Sequence, residues 1–321
     1  MSVFFISGQS EFFCLPAYNV MGNIFPNIVK GGFFMATFYN QATLSYNGNI
    51  KSSNITTGEI VEVLSAVKEA VSDSYSSDND IVYVISIVNK GNTVYNGIKI
   101  TDNLGSYKPS ETSPAVVPLT YVPDSVTLYI NGVKQATPNV IETSPLIVEN
   151  ISIPANGNAV LIYSAKPNQF APLGVNGSIT NNAVISGNNF ADITVSETVT
   201  ARNSADLSIS KSLTPTEIEE NGAVTYTFVI QNFGNTASSV NDDVVFRDVF
   251  SPVLTSLTAT FNGVLWTEGR NYTYDSTTGE FVTIANQVTV PSATFTQDMQ
   301  TGVWTVQPGI STLVIKGNLQ S

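Results

Sequence analysis

"AVTYTFVIQNFGNT", residues 223–236, is a second copy of "DIVYVISIVNKGNT", residues 80–93. Tyr83, Asn89, Gly91, Asn92 and Thr93 recur as Tyr226, Asn232, Gly234, Asn235 and Thr236. Each copy is a run of β-branched and aromatic residues, as expected of a buried strand, closed by an Asn/Gly turn. The match continues outward. "GIKITDNLG" pairs with "DVVFRDVFS", placing Asp102 on Asp248, and "SVTLYINGV" from 125 pairs with "SLTATFNGV" from 256. "ISIPANGNAVLIYSAK" pairs with "WTVQPGISTLVIKGN". Upstream, "VLSAVKEAV" from Val63 matches "DLSISKSLT" from Asp206 and places Lys68 on Lys211. Two tandem units of short segments joined by Asn-Gly and Pro/Gly turns predict an all-β chain of two immunoglobulin-like sandwiches.

The composition agrees. Only 12% of the 321 residues are charged, and there is no histidine. A net charge of −12 argues against electrostatic binding of nucleic acid or anionic membrane. No apolar run reaches the length of a membrane-spanning helix, so no membrane insertion is expected. Cys14 is the one cysteine. Without histidine, neither a zinc-type ligand cluster nor a Ser-His-Asp triad is available. The chain reads as a non-enzyme without a cofactor.

The pattern of a tyrosine, an asparagine six residues on, then Gly-Asn-Thr and a later aspartate resembles the conserved repeat domain, or domain of unknown function eleven. That family occurs in large surface and fibre proteins of bacteria and archaea. The resemblance covers about residues 36–321. It implies the immunoglobulin-like fold and work at a cell surface or in a fibre, but sandwiches carry many functions.

The two units end differently. The first runs on into "GSITNNAVISGNNFADITVSETVTA", a closing strand pair, whereas the second stops at "LVIKGNLQS". A copy of the missing pair stands at the other end of the chain, in "TFYNQATLSYNGNIKSSNITTGEIVEV". Asn181-Asn182-Ala183 falls on Asn40-Gln41-Ala42, and Ile185 on Leu44. The reading is therefore residues 35–62 as donor strands, 63–205 as a complete sandwich, and 206–321 as a sandwich lacking its last strands. Phe38, Asn40, Ala42, Leu44 and Tyr46 keep period two along the donor segment, with Ile55 on its returning strand. An isolated strand pair cannot bury such a row, and an incomplete sandwich exposes core and unpaired edges. Head-to-tail donation of strands into the next copy satisfies both ends and yields a homopolymer. The alternative is a monomeric surface adhesin that binds a surface or host ligand through its loops.

Polar residues keep phase with apolar ones on these strands. Lys68 runs with Leu64 and Ala66, Asp102 with Ile98 and Ile100, and Asn181 with Ile179, Ala183 and Ile185. Lys211, Asp248 and Asn40 repeat the arrangement, with Asn40 coming from a neighbouring copy. A lysine, an acid and an asparagine facing one core are the ingredients of an isopeptide bond, as in similar sandwich-built fimbrial proteins. Burial favours a neutral, nucleophilic amine and a protonated acid able to polarise the amide. Ordinary strand asparagines bonded to backbone, and lysines reaching to the surface, fit the same pattern.

Three further features stand out. Asp73, Asp78, Asn79 and Asp80 in "DSYSSDND" are oxygen ligands of the kind Ca²⁺ takes, without an EF-hand pattern. Trp266 and Trp304 suit either a sugar platform or core and interface packing. Residues 1–34 are aromatic and patternless, and they make a poor signal peptide. "KGG" at 30–32 can be encoded by a ribosome-binding sequence just ahead of the ATG for Met35, so residues 1–34 are expected to be translated upstream DNA, with a genuine but disordered leader as the alternative. From Met35 there is no recognisable signal peptide. The expected place of work is an extracellular appendage or a cell or spore surface.

Overall fold

A computed structural model describes residues 36–60, 62–239 and 242–320. The expectations for residues 1–34 lie outside the described residues. The described residues contain no α-helix and fall into two compact units, divided between Glu62 and Val63.

The first unit is one antiparallel hairpin of β1 (Ala36–Asn40), β2 (Thr43–Tyr46), β3 (Asn49–Ser52) and β4 (Thr56–Ile60). Asn47 and Gly48 form its tip, with φ of 45° and 76°. Positive φ at both positions is the two-residue turn that matches strand twist. It sets Tyr46 opposite Asn49. Further out, Asn40 faces Thr56, so Gln41 and Ala42 oppose three residues, Ser53 to Ile55. Ser53 holds this bulge, its hydroxyl accepting from the Ala42 N–H at 2.9 Å and its carbonyl from the Gln41 amide at 2.7 Å. Phe38, Leu44, Tyr46 and Ile55 are all exposed.

The second unit holds two sandwiches. The first comprises β5 (Leu64–Ala70), β6 (Ser74–Tyr75), β7 (Ile81–Asn89), β8 (Tyr95–Asp102), β9 (Leu119–Tyr121), β10 (Thr127–Ile130), β11 (Val133–Lys134), β12 (Asn139–Thr143), β13 (Leu146–Ile153), β14 (Asn158–Pro167), β15 (Ser178–Ser186) and β16 (Ile193–Ala201). One sheet runs β11-β10-β14-β7-β5, with β9 also on β14; the other runs β12-β13-β8-β15-β16-β6. Alternate residues of both inner faces meet in one core that includes Tyr83, Ile85, Ile100, Leu161, Tyr163 and Ile185.

The second sandwich comprises β17 (Leu207–Thr214), β18 (Ala223–Asn232), β19 (Arg247–Val249), β20 (Leu254–Phe261), β21 (Val264–Leu265), β22 (Tyr272–Asp275), β23 (Glu280–Thr283), β24 (Thr294–Gln297), β25 (Trp304–Gln307) and β26 (Gly309–Leu319). Its larger sheet, β17-β18-β26-β20-β21, repeats the strand order of the β5-containing sheet and the registers of its β5–β7 and β7–β14 pairs. Lys68 faces Ile85, and Lys211 faces Phe228. Its opposing sheet, among the described residues, is β19-β23-β22. The strand β8 pairs with β13 on one side and β15 on the other, whereas β19 pairs only with β23 among the described residues.

One repeat match is corrected. Ile151–Ile153 lies in β13 against β8, but Trp304–Gln307 pairs with β24 in a separate hairpin. The shared Pro/Gly turn aligned two segments that have different partners.

The repeated motif has a structural cause. The Asn232 carboxamide oxygen accepts from the Asp206 and Gly234 N–H groups, each at 2.9 Å. Its NH₂ donates to the carbonyls of Thr236 at 2.7 Å and Pro291 at 3.1 Å. Asn89 bonds in the same way to Gly91, Thr93 and Pro154. One buried amide thus ties a strand end to its own turn and to a second loop, the one that feeds β14 for Asn89 and the one that feeds β24 for Asn232.

The two sandwiches touch. Asn235 donates to the carbonyls of Leu173 and Arg202, each at 3.0 Å. The β24–β25 hairpin rests on the first sandwich at Tyr107, whose hydroxyl donates to the Phe170 carbonyl at 2.7 Å and accepts from Gln297 at 2.6 Å and from Trp304 at 3.3 Å. The Trp304 backbone N–H donates to the Gln169 carbonyl at 2.9 Å, and Ser113 meets the Met299 carbonyl.

Candidate functional site

Lys68 on β5, Asp102 at the end of β8 and Asn181 on β15 converge between the sheets of the first sandwich, and all three are buried. The Lys68 amine lies 2.5 Å from Asp102 Oδ2. The same oxygen accepts from the Tyr163 hydroxyl at 2.6 Å, while Oδ1 accepts from the Leu104 N–H at 2.9 Å. Asn181 Nδ2 donates to the Tyr163 hydroxyl at 2.9 Å. The arrangement is a chain: lysine, aspartate, tyrosine, asparagine. The amine also lies 4.8 Å from the centre of the Tyr83 ring, which stacks on Tyr163.

The acid is not on the amide oxygen, contrary to the expectation that it would polarise the amide. Both Asp102 oxygens are taken, and Asn181 Oδ1 instead accepts the Gly105 N–H at 3.1 Å. A fixed backbone donor on that oxygen is placed to stabilise negative charge as an amide carbonyl is attacked. Gly105 has φ +75°, and a Cβ there would stand 2.5 Å from Ile179 Cγ2. Replacing Gly105 with Ala is expected to destabilise the first sandwich by roughly 1–3 kcal/mol, read by thermal unfolding, because the backbone must shift away from Asn181.

Burial lowers the Lys68 amine below the ordinary lysine value, and the neighbouring Asp102 opposes that shift. Burial, with the Asp102 carboxylate beside it, holds the Tyr163 phenol well above its ordinary value. Tyr163 and Gly105 were not singled out in the sequence. Tyr163 reads as one more core aromatic in "VLIYSAK", and its counterpart in the second repeat is Ile315, so comparing the repeats hides it.

The second set is open. Lys211 and Asp248 also pair, at 2.6 Å, and the amine lies over Tyr226 and Phe228. The Lys211 side chain is 43% exposed and the Asp248 side chain 19%, against 0% and 1% for Lys68 and Asp102. Leu207 is 37% exposed where Leu64 is 7%, and Val249 beside Asp248 is also exposed. In the first sandwich β15 and β16 cover this place, with Ala183 opposite Asp102 and Asn181 opposite Glu197. Asn40 lies on the hairpin opposite Thr56, a register that differs from that of Asn181.

The other candidates resolve differently. Among the described residues no three acidic side chains gather in a metal-binding group, so Asp73, Asp78 and Asp80 of the Asp73, Asp78, Asn79 and Asp80 set do not come together as one. Trp266 is buried and stacked on Phe261 at 4.9 Å, in the core and not on a platform. Trp304 is part-buried against Tyr107 between the sandwiches.

No family model matches the chain, and no curated protein does. Among solved structures, the chain is similar to the major pilin subunit of Bacillus cereus, at 11% identity over 85% of this chain and 73% of that one, with a TM-score of 0.35. It is similar to the pilus backbone of Streptococcus pneumoniae, at 11% identity over 76% of this chain and 55% of that one, with a TM-score of 0.32. A collagen-binding domain from a Staphylococcus aureus adhesin matches at 10% identity over 43% of this chain and 97% of that domain, with a TM-score of 0.28.

Proposed function

We propose that the chain is a self-assembling structural subunit of a surface fibre. The β1–β4 hairpin of one copy completes the second sandwich of the next, lying along the free edge of β19 where β15 and β16 lie in the first sandwich. The observation that carries this reading is the contrast between the two sets: the same lysine, aspartate and leucine positions are buried in one sandwich and markedly more exposed in the other. The hairpin supports it from the other side, since Phe38, Leu44, Tyr46 and Ile55 have apolar surface to bury. Strand addition at an open edge is a known mode of recognition, and a heterologous contact of this kind propagates into an open filament.

The site chemistry adds covalent locks to this proposal. Lys68 would join Asn181 within a subunit, and Lys211 would join Asn40 of the neighbouring copy. Each bond releases ammonia and lowers the intact mass by about 17 Da. The fibre would stand on a cell or spore surface.

Negative-stain electron microscopy of the full chain beside a variant lacking residues 35–62 tests the reading. Filaments are expected from the first alone. Filaments from both would overturn strand donation, and monomers from both would turn the reading to a surface-binding module.

A further inference from the structure

The reaction that would join Lys68 to Asn181 must move a proton to a poor leaving group. An amide nitrogen departs only as ammonia, so Nδ2 has to be protonated as its bond to Cγ breaks. In the first sandwich the group that touches Nδ2 is not the aspartate. It is the Tyr163 hydroxyl, at 2.9 Å, and that hydroxyl in turn touches Asp102 Oδ2 at 2.6 Å.

We infer that Tyr163 is a catalytic residue of the bond-forming reaction, carrying the proton between Asp102 and the departing nitrogen of Asn181. This rests on the Lys68–Asn181 bond proposed above. Within the 2.5 Å contact, a proton passes from the Lys68 amine to Asp102 Oδ2, giving a neutral amine and a neutral acid. The Lys68 Nζ lone pair attacks Asn181 Cγ, and the electrons of the carbonyl move to Oδ1, against the Gly105 N–H. Tyr163 gives its proton to Nδ2 and takes one from Asp102. The Cγ–Nδ2 bond breaks, ammonia leaves, and the carbonyl re-forms. The new amide nitrogen then returns its surplus proton to Asp102. The products are one amide, one neutral ammonia, Tyr163 in its starting form and Asp102 as the neutral acid, which keeps the proton that the Lys68 ammonium brought. The burial that disfavours a charged Lys68 favours the reactive form of the amine.

Two comparisons within the molecule sharpen the assignment. Tyr83 stacks on Tyr163 with the rings 5.5 Å apart, and its buried hydroxyl lies near Asn181 and Asp102 yet makes no well-formed hydrogen bond to either. It is a neighbouring phenol that is not bonded between the acid and the amide. In the second sandwich Ile315 holds the place of Tyr163, so Lys211 and Asp248 lack the equivalent hydroxyl for an incoming Asn40. The internal bond should therefore form before the bond between copies.

The test is the intact mass of the full chain, followed from refolding out of denaturant, with the cross-linked Lys68–Asn181 peptide located by proteolysis. The unaltered chain and Tyr83→Phe should lose ammonia at the same rate. Tyr163→Phe should react about a hundredfold more slowly or worse, the usual scale for a lost acid–base group. A fluorinated tyrosine at position 163 keeps the hydroxyl and its contacts but makes it a stronger acid, and should change the rate without blocking the bond. If Tyr163→Phe fails to fold, this second substitution decides alone: an unchanged rate overturns the inference. Equal rates for Tyr163→Phe and the unaltered chain overturn the role of Tyr163 and leave the bond standing. No loss of mass in the unaltered chain overturns the bond, and the role of the tyrosine with it.

Discussion

Replacing Asp102 with alanine is expected to destabilise the first sandwich by about 3–5 kcal/mol at neutral pH, because it leaves a buried amine without its counter-charge. The Lys68 side chain is fully enclosed and its carboxylate partner is 2.5 Å away. What remains is a phenol, aromatic faces and the Glu197 carboxylate, which acts on Lys68 through space without a hydrogen bond to it and more weakly than Asp102. The sign of the pH dependence follows. Burial already lowers Lys68 below its unfolded value, and losing Asp102 removes the main influence that raises it. Between the lowered value and the ordinary lysine value, the unfolded chain binds more protons than the folded one. Stability of Asp102→Ala should therefore rise with pH through that window, as the enclosed amine becomes neutral. Denaturant unfolding at neutral pH and near pH 10 reads the difference. A variant as stable as the unaltered chain at both values would mean that Lys68 finds water or another partner.

The second large effect is expected at Asn232. It is buried, and all four hydrogen-bonding positions of its amide are used, on Asp206, Gly234, Thr236 and Pro291. Asn232→Ala strands four backbone groups at once and should lower the stability of the second sandwich by about 3 kcal/mol. Asn232→Asp should be at least as harmful despite its shape. A carboxylate has no hydrogens to give the Thr236 and Pro291 carbonyls, and it brings charge against both. Chemical denaturation monitored at Trp266, in the core of that sandwich, measures either loss. Retained stability in the aspartate variant would show that the two carbonyls need no donor.

Asn232 also explains why the fold was legible in the sequence. Asparagine, glycine and threonine at that spacing form a local device, closed largely within five residues, so the motif survives in one dimension. The phase of Lys68, Asp102 and Asn181 was legible for a similar reason, since alternation along a strand is local. Their meeting was not. It depends on which strands stack across the core, and that is decided by pairings far apart in the chain, such as β15 on β8. Gly105 was missed because its contribution is a backbone N–H, which no residue letter advertises. The matching of Trp304 to Ile151 failed because a turn was shared while the partner strands were not. The hairpin register departs from that of β15–β16 because its Asn47-Gly48 tip is a two-residue turn, and the bulge at Ser53 absorbs the mismatch.

The contact between the two sandwiches has a mechanical consequence. A pair of domains joined by a peptide alone swivels about a few bonds, and a load twists or bends the joint freely. Here Asn235 grips the linker at Arg202, and the β24–β25 hairpin reaches back separately to Tyr107 and Gln169. Gly302, between those two strands, sits so close to the first sandwich that a Cβ would come 2.8 Å from Val116 Cγ1. Two separated attachments resist torque in a way that one cannot. The stiffness of the joint therefore resides in a surface hairpin, and trimming that hairpin would turn a stiff strut into a hinge without touching either core.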